Sequence, residues 1–308
     1  MRQVYQDIKE LVGWTPIVRV KHFFLPEGVE IYAKLEYMNP GGSVKDRLGL
    51  ALIQAGEESG DLAPGGTIIE PTAGNTGIGL AMAAVGTDYQ VIFVVPEKFS
   101  IEKQQLMRAL GAKVVNTPTE EGMKGAIAKA KELVRDIDGS WCPQQFGHPA
   151  NPQAHYDTTG PEIWQQMDGQ VDVFVAGSGS GGTFMGCARY LKEKNQKIRT
   201  VIVEPEGSIL GGGEPGPHRT EGIGMEFLPE YMDASYFDAI HTVPDQEAFQ
   251  MVKELARREG MLAASSSGAA FYAALEEAKQ ASPGTRIVVV FPDGSDRYLS
   301  QNIYGEGE

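Results

Sequence analysis

Lys45 stands in NPGGSVKDRLG (residues 39–49), shortly after a glycine pair and where a helix is expected to begin. Ser43 and Asp46 read as a capping box, which predicts a helix starting near Val44. A lysine in that first turn lies among backbone N–H groups that disfavour an ammonium and favour a neutral amine or imine. Lys45 is therefore a candidate for amine chemistry, set against the ordinary reading of a solvated surface charge.

Two other stretches are suited to anions. GSGSGGT (177–183) follows the apolar run VDVFVA and precedes the helix-like FMGCARYLKEK. Small residues let backbone N–H groups approach an anion, and the helix start adds partial positive charge, so a phosphate cradle is the natural reading. The same loop fits Gly-x-Gly-x-x-Gly as Gly177, Gly179 and Gly182, with Glu204 placed as a ribose-binding acid would be. A nicotinamide dehydrogenase is therefore a rival, although the loop lies mid-chain and the rival gives Lys45 no task. EPTAGNTG (70–77) offers Thr72, Asn75 and Thr76 beside Gly74, a nest that suits a carboxylate. In AASSSGAAF (263–271) helix capping accounts for one serine and leaves two to reach a ligand. An amine, a phosphate site and a carboxylate site together describe pyridoxal phosphate with an amino acid.

These stretches need a frame. Runs rich in Val and Ile predict strands at 30–36, 66–72, 90–96, 112–117, 171–177, 198–204 and 286–292. Helix-like stretches lie near 44–59, 75–86, 100–109, 121–135, 157–167, 182–194, 245–259 and 267–280. That alternation predicts an α/β chain with mostly parallel strands covered on both faces, where ligands sit at the strands' carboxyl ends. The segment 141–164, rich in Pro, Asn and Gly, reads as a junction, and 210–222 as a long flexible loop. Glu120 and Glu121 read as a helix start.

At 308 residues the chain has room for two modest domains or one large one. A formal charge of −14 argues against nucleic acid or an anionic membrane as partner. Two cysteines, Cys142 and Cys187, form no disulfide framework and read as buried thiols. The five histidines lack metal-ligand spacing, so no metal is expected. Without an apolar signal core or membrane-length run, a cytoplasmic protein is expected.

Taken together, NPGGSVKDR, EPTAGNTG, QQFGHPANP, TTGPEIW, GSGSGGT, EGIGMEF and SSSGAA resemble the cysteine synthase/cystathionine β-synthase family of pyridoxal-phosphate enzymes, in order along essentially the whole chain. The resemblance implies a two-domain fold of type II (tryptophan synthase β-like) with the cofactor in the interdomain cleft. A smaller mobile domain would take 41–145, and a larger one 1–40 plus 146–308. By motif, Lys45 would form the Schiff base and move the proton, and Asn75 would bond the pyridine 3-oxygen. Gly179, Ser180, Gly181, Gly182 and Thr183 would hold the phosphate, and Ser266 would face the pyridine nitrogen. Thr72, Ala73, Gly74, Asn75, Thr76 and Gln145 would bind the substrate carboxylate, with Gly222 and Glu226 also on the substrate side. A neutral serine at the nitrogen makes the ring a modest electron sink, sufficient for losing a β-substituent and adding a thiol.

Two departures from the sulfhydrylase pattern bear on which thiol adds. Ala73 stands where cysteine synthases usually have serine, and Glu226 where they commonly have a small residue. Cystathionine β-synthases carry an acid there, and a carboxylate could hold homocysteine's α-ammonium. The resemblance thus favours O-acetylserine plus homocysteine giving cystathionine, a step of reverse transsulfuration. O-acetylserine sulfhydrylase activity, making cysteine from sulfide, is the alternative. The family also implies amino-acid substrates, a homodimer and a possible serine acetyltransferase partner.

Overall fold

A computed structural model describes residues 4–72, 74–97 and 99–305. In chain order the elements are β1 (Ile17–Arg19), β2 (Glu30–Leu35), α1 (Lys45–Ser59), β3 (Thr67–Pro71), α2 (Asn75–Ala84), β4 (Gln90–Pro96), α3 (Ile101–Ala109) and β5 (Lys113–Thr117). There follow α4 (Gly122–Asp136), β6 (Ser140–Trp141), α5 (Ala150–Ala154), α6 (Gly160–Gln166), β7 (Val173–Gly177), α7 (Gly182–Lys194) and β8 (Arg199–Pro205). The chain ends through β9 (Ala239–Val243), α8 (Asp245–Glu259), α9 (Ser265–Gln280) and β10 (Arg286–Phe291). The chain divides into two compact units. One comprises the residues up to Val12 with Lys45–Asn151, the other Gly13–Val44 with the chain from Pro152 onward.

The first unit is built on a parallel four-stranded sheet of order β5-β4-β3-β6. Side chains alternate between its faces. Ile68, Val91, Phe93 and Val95 pack with Leu48 and Leu52 of α1 and Ile78 and Leu80 of α2. Ile69, Ile92 and Val94 pack with Ala126 and Ala130 of α4 on the other side. The second unit has a six-stranded sheet of order β1-β2-β10-β7-β8-β9, parallel except for β1. Ile287, Val289 and Val175 face Ala269, Phe271 and Ala273 of α9. Val288, Val290 and Phe174 face Phe184 and Leu191 of α7 and Ile163 of α6. Apolar runs without polar alternation thus fill two faces, which is why they read as buried parallel strands.

Two sequence expectations are corrected. Strands β1, β6 and β9 lie outside the expected set: β1 and β6 are very short, and β9, interrupted by His241 and Thr242, is exposed on one face at a sheet edge, so none carries an apolar run. The segment 141–164 is less a junction than a helical run. From Ala150 it continues through α5, a π-type turn at His155–Thr159, and α6. The two prolines inside this helical run, Pro152 and Pro161, fall in the first turn of α5 and of α6, where a proline is tolerated. Glu120 and Glu121 do stand at a helix start, as expected: a 3₁₀ turn over Thr119–Glu121 leads directly into α4, with Glu121 at its N-cap position. Helix α1 begins at Lys45, one residue after the expected start, and Ser43 is buried and takes part in a β-bridge to Asp293.

Candidate active site

The first unit carries Lys45 and the carboxylate nest. Lys45 is the first residue of α1, half-buried, which places it in the turn whose N–H groups have no partner within the helix. Its backbone is fixed by a close helix crossing. A Cβ on Gly79 of α2 would lie 2.2 Å from the Lys45 carbonyl oxygen, and one on Gly49 of α1 would lie 2.3 Å from the Gly79 carbonyl. Only hydrogen at both positions lets α1 and α2 approach this closely. The same helix α2 starts with Asn75 and Thr76, so the crossing sets Lys45 and these two residues on one rigid frame.

Helix α2 is preceded by Gly74, and among the described residues no side chain caps it. No acid lies in its first turn. That leaves a helix start suited to an anion such as a substrate carboxylate. Thr72 is buried, and its Oγ1 accepts the Gly74 N–H at 3.3 Å. Thr76 Oγ1 donates to Gln145 Oε1 at 2.6 Å, so the structure brings together two of the predicted carboxylate ligands. Ala73 lies outside the described residues.

Sequence reasoning missed the group that holds Gln145. Glu70, at the end of β3 and buried, accepts the N–H of Gln144 at 3.0 Å on one carboxylate oxygen and that of Gln145 at 3.1 Å on the other. Gln144 adopts a left-handed φ of +54°, unusual for a side chain of its kind, and this bidentate strut holds it there. Burial raises the Glu70 carboxyl to about 7, against the opposing pull of the two N–H groups and of the Cys142 thiol. Cys142 itself, half-buried beside this carboxylate, is pushed up to about 12 by burial and by Glu70's charge, so it stays a thiol. Cys187 is buried.

The second unit carries the glycine loop between β7 and α7. Segment 222–232 packs over it: Gly224 N–H donates to Ser178 O at 2.8 Å and Tyr231 Oη to Ser180 O at 2.8 Å. A Cβ on Gly179 would meet the Gly222 carbonyl oxygen at 2.3 Å, and one on Gly177 the Ile223 side chain at 2.7 Å. Gly181 takes φ +83° at the cap of α7 and is closed in by Met232. The glycines are thus required by the loop's own packing, a reason that the sequence alone assigned to a ligand.

Whether the loop also suits a phosphate is decided by its donors. Among the described residues no side chain caps α7 and no acid lies in its first turn. Gly182 and Thr183 open that turn, with the Thr183 hydroxyl half-buried and the Ser180 side chain beside it in sequence. Uncapped N–H groups, two hydroxyls and no competing carboxylate fit a phosphate dianion.

The acid on which a dinucleotide reading depends is already engaged. Glu204 is fully buried and accepts Leu210 N–H at 2.8 Å, Gly211 N–H at 2.7 Å and Thr242 Oγ1 at 2.9 Å. It ties down the loop after β8 and has no oxygen presented to a ribose.

Helix α9 opens with Ser265, Ser266 and Ser267, all buried, behind Ala264 as cap. None caps the helix, contrary to expectation. Ser265 Oγ accepts the Glu221 N–H at 3.2 Å, which anchors the start of EGIGMEF. Ser266 Oγ donates to Asp293 Oδ1 at 3.4 Å, and Tyr298 Oη donates to the other oxygen, Oδ2, at 2.5 Å. Gly222, at φ +85°, borders Ser266, since a Cβ there would lie 3.9 Å from Ser266 Oγ. The structure therefore gathers Gly179–Thr183, Gly222 and Ser266 in the second unit, and Thr72, Gly74–Thr76 and Gln145 with Lys45 in the first. Glu226 is exposed on segment 222–232.

Comparison with known proteins agrees with these chemistries. The chain is 61% identical over 304 residues, 99% of each chain, to the O-acetylserine dependent cystathionine beta-synthase of Bacillus subtilis. It is 54% identical to a cysteine synthase of Helicobacter pylori, covering 98% of this chain and 99% of that one. Among solved structures, an O-acetylserine dependent cystathionine beta-synthase from Helicobacter pylori superposes with a TM-score of 0.93 at 52% identity, covering 98% of this chain and all of the other. A cysteine synthase from Entamoeba histolytica gives a TM-score of 0.95 at 37% identity, over all of this chain and 93% of that one. Residues 8–293 match the family described as pyridoxal-phosphate dependent enzymes, and the chain belongs to that family.

Proposed function

We propose that this enzyme joins homocysteine to O-acetylserine, releasing acetate and forming cystathionine. The observation that carries the choice of thiol is the 61% identity, over 99% of both chains, to a protein named for that reaction. An acid at 226 on the segment that borders the glycine loop is consistent with it.

Bound pyridoxal phosphate withdraws electrons from the substrate α-carbon, which allows a β-acetate to leave and a thiol to add. Lys45 would hold the cofactor covalently through Nζ and, once the substrate amine takes its place, accept the α-proton. The position of Lys45 at the start of α1 favours the neutral amine this requires. Acetate leaves with the electron pair of its C–O bond, the homocysteine thiolate bonds to the β-carbon, and Lys45 returns a proton to the α-carbon. Asn75 would bond the ring 3-oxygen, Ser266 the ring nitrogen once its hydroxyl turns from Asp293 Oδ1, and Gly179–Thr183 the phosphate. Thr72, Gly74, Thr76 and Gln145 would orient the substrate carboxylate, with Glu70 fixing Gln145.

The alternative thiol is sulfide, which needs no ammonium-binding acid. It is favoured by the 54% identical relative named cysteine synthase and by the exposure of Glu226. Steady-state kcat/KM with O-acetylserine and each thiol in turn, with products identified by mass spectrometry, separates the two. Efficient cystathionine formation is expected; efficient cysteine formation with little cystathionine would overturn the proposal. Lys45→Ala is expected to abolish turnover and the visible absorbance of covalently held cofactor. An absorbance unchanged by that substitution would remove Lys45 from its role.

A further inference from the structure

We propose that His155 is a positioning residue that sets the hydroxyl of Thr183 as a hydrogen-bond donor to the cofactor phosphate. This rests on the reading of Thr183 as a phosphate contact.

His155 is completely buried and opens the π-type turn 155–159. Such a turn is a frequent mark of a functional site within a helical run. Helix α7 is pressed against this turn at Gly186, where a Cβ would meet the Pro152 carbonyl oxygen at 2.2 Å and the His155 Cβ at 2.7 Å. Gly186 lies three residues beyond Thr183, on the same helix face. The close approach therefore carries the His155 ring to Thr183. Its Nε2 lies 3.2 Å from Thr183 Oγ1, and its Nδ1 lies 2.8 Å from Thr159 Oγ1.

A neutral imidazole has one N–H donor and one bare acceptor, and a hydroxyl has a single proton to give. If the ring proton is on Nδ1, Nε2 is an acceptor and takes the Thr183 proton. Thr183 then turns only lone pairs toward the phosphate, which repel it. If the ring proton is on Nε2, it donates to Thr183 Oγ1, and the Thr183 proton is released to a phosphate oxygen. Thr159 then donates to Nδ1. Only this second arrangement makes Thr183 a phosphate ligand, so the tautomer of a buried ring and the binding of the phosphate are linked. A bond from hydroxyl to anion is among the stronger neutral-donor interactions.

Two measurements test this. The first uses the unaltered holoenzyme labelled with nitrogen-15 in histidine, where the ring nitrogens of His155 are read by two-bond correlation. A proton on Nε2 is expected; a proton on Nδ1 with bare Nε2 would overturn the proposal. The second compares the affinity for pyridoxal phosphate and for pyridoxal, which lacks the phosphate, across Thr183→Val, His155→Ala and the double variant. His155→Ala is expected to weaken pyridoxal phosphate binding by roughly tenfold, as loss of a charged-acceptor bond would. It is expected to leave pyridoxal unchanged and to add less than about twofold in the Thr183→Val background. His155→Gln, which keeps an N–H donor near the Nε2 position, is expected to recover most of the affinity. Equal losses for both ligands, or in both backgrounds, would show a merely structural histidine. If Thr183→Val alone changes neither affinity, the phosphate contact itself fails, a signature distinct from failure of the histidine relay.

Discussion

The two candidate anion-binding regions are held in shape by different means. The glycine loop of the second unit is shaped by backbone closeness, with Gly177, Gly179 and Gly181 pinned beneath segment 222–232. The nest of the first unit is shaped by side chains that reach across the sequence: Glu70 to Gln145, 75 residues apart, and Gln145 to Thr76, 69 residues apart. A loop built from backbone is broken by adding atoms, whereas a nest built from side chains is broken by removing a hydrogen bond or a charge. On the proposed function the first would hold a cofactor that stays through every turnover, and the second would meet a substrate that must come and go.

The largest effect is expected where a methyl group enters the backbone-built loop. Gly179→Ala places a Cβ 2.3 Å from the Gly222 carbonyl oxygen, which cannot swing aside as a side-chain tip would. Overpacking of this kind costs about 3 kcal/mol. Charged to cofactor binding, that is a loss of about 100-fold in affinity for pyridoxal phosphate. Titration of the cofactor into the variant reads it directly. Unaltered affinity would show that the loop yields and that its glycines are not what shapes it.

Removing charge from the nest comes second. The folded Glu70 carboxyl titrates near 7, above its ordinary 4.5, because burial penalises the anion. A raised folded value means that the native state binds the proton more tightly than the unfolded chain does. Its stabilising contribution is therefore complete below pH 4.5 and is lost as pH rises toward 7 and beyond. With about 1.4 kcal/mol for each pH unit, the loss has an upper bound on the order of 3 kcal/mol. Glu70→Gln cannot titrate and also sets its amide N–H groups against a backbone donor. Denaturant unfolding of both proteins across pH 4.5 to 8 is expected to show wild-type stability falling relative to the variant. A constant difference across that range would mean that Glu70 does not titrate there. The KM for O-acetylserine is expected to rise in the variant at every pH, since Gln145 loses its strut.

How much of each region was legible follows from the same contrast. GSGSGGT, the strand before it and the helix after it are contiguous, so both the elements and the loop could be read from one stretch. The reason for its glycines could not, because segment 222–232 meets it only in the fold. Lys45 was placed correctly at a helix start, whereas the bridge from Ser43 to Asp293, 250 positions along the chain, could not be read from that stretch. Glu70 carried no signal of its own in the sequence and His155 was one of five histidines without metal-ligand spacing, because what each does depends on a partner remote in sequence. Glu204 shows the opposite failure. Its spacing matched a dinucleotide fingerprint, and its buried bonds to Leu210 and Gly211 reveal a structural acid.

A smaller effect is expected within the nest at Thr76. Thr76→Val removes the 2.6 Å bond to Gln145 Oε1 while keeping the shape of the side chain. One such bond is worth about 1 kcal/mol net, so KM for O-acetylserine is expected to rise roughly fivefold. Cofactor affinity is expected to hold, since the glycine loop proposed to take the phosphate belongs to the other unit. A matching fall in cofactor affinity would erase the distinction between a cofactor region and a substrate region.

The smallest effect falls on Glu226, where the two regions' logic meets the choice of thiol. This carboxylate is exposed, yet its backbone belongs to a segment tied to the glycine loop through Gly224 and Tyr231, so its position is better defined than that of most surface acids. An ammonium held by an exposed carboxylate gains little, because water and salt screen the pair. Glu226→Ala is therefore expected to lower kcat/KM for homocysteine by about two- to fivefold and to leave sulfide unchanged, with the difference shrinking at high ionic strength. Sulfide has no ammonium, so any loss shared by both thiols would come from the segment's packing on the glycine loop rather than from recognition. A loss confined to homocysteine and relieved by salt would assign the discrimination between thiols to this one charge.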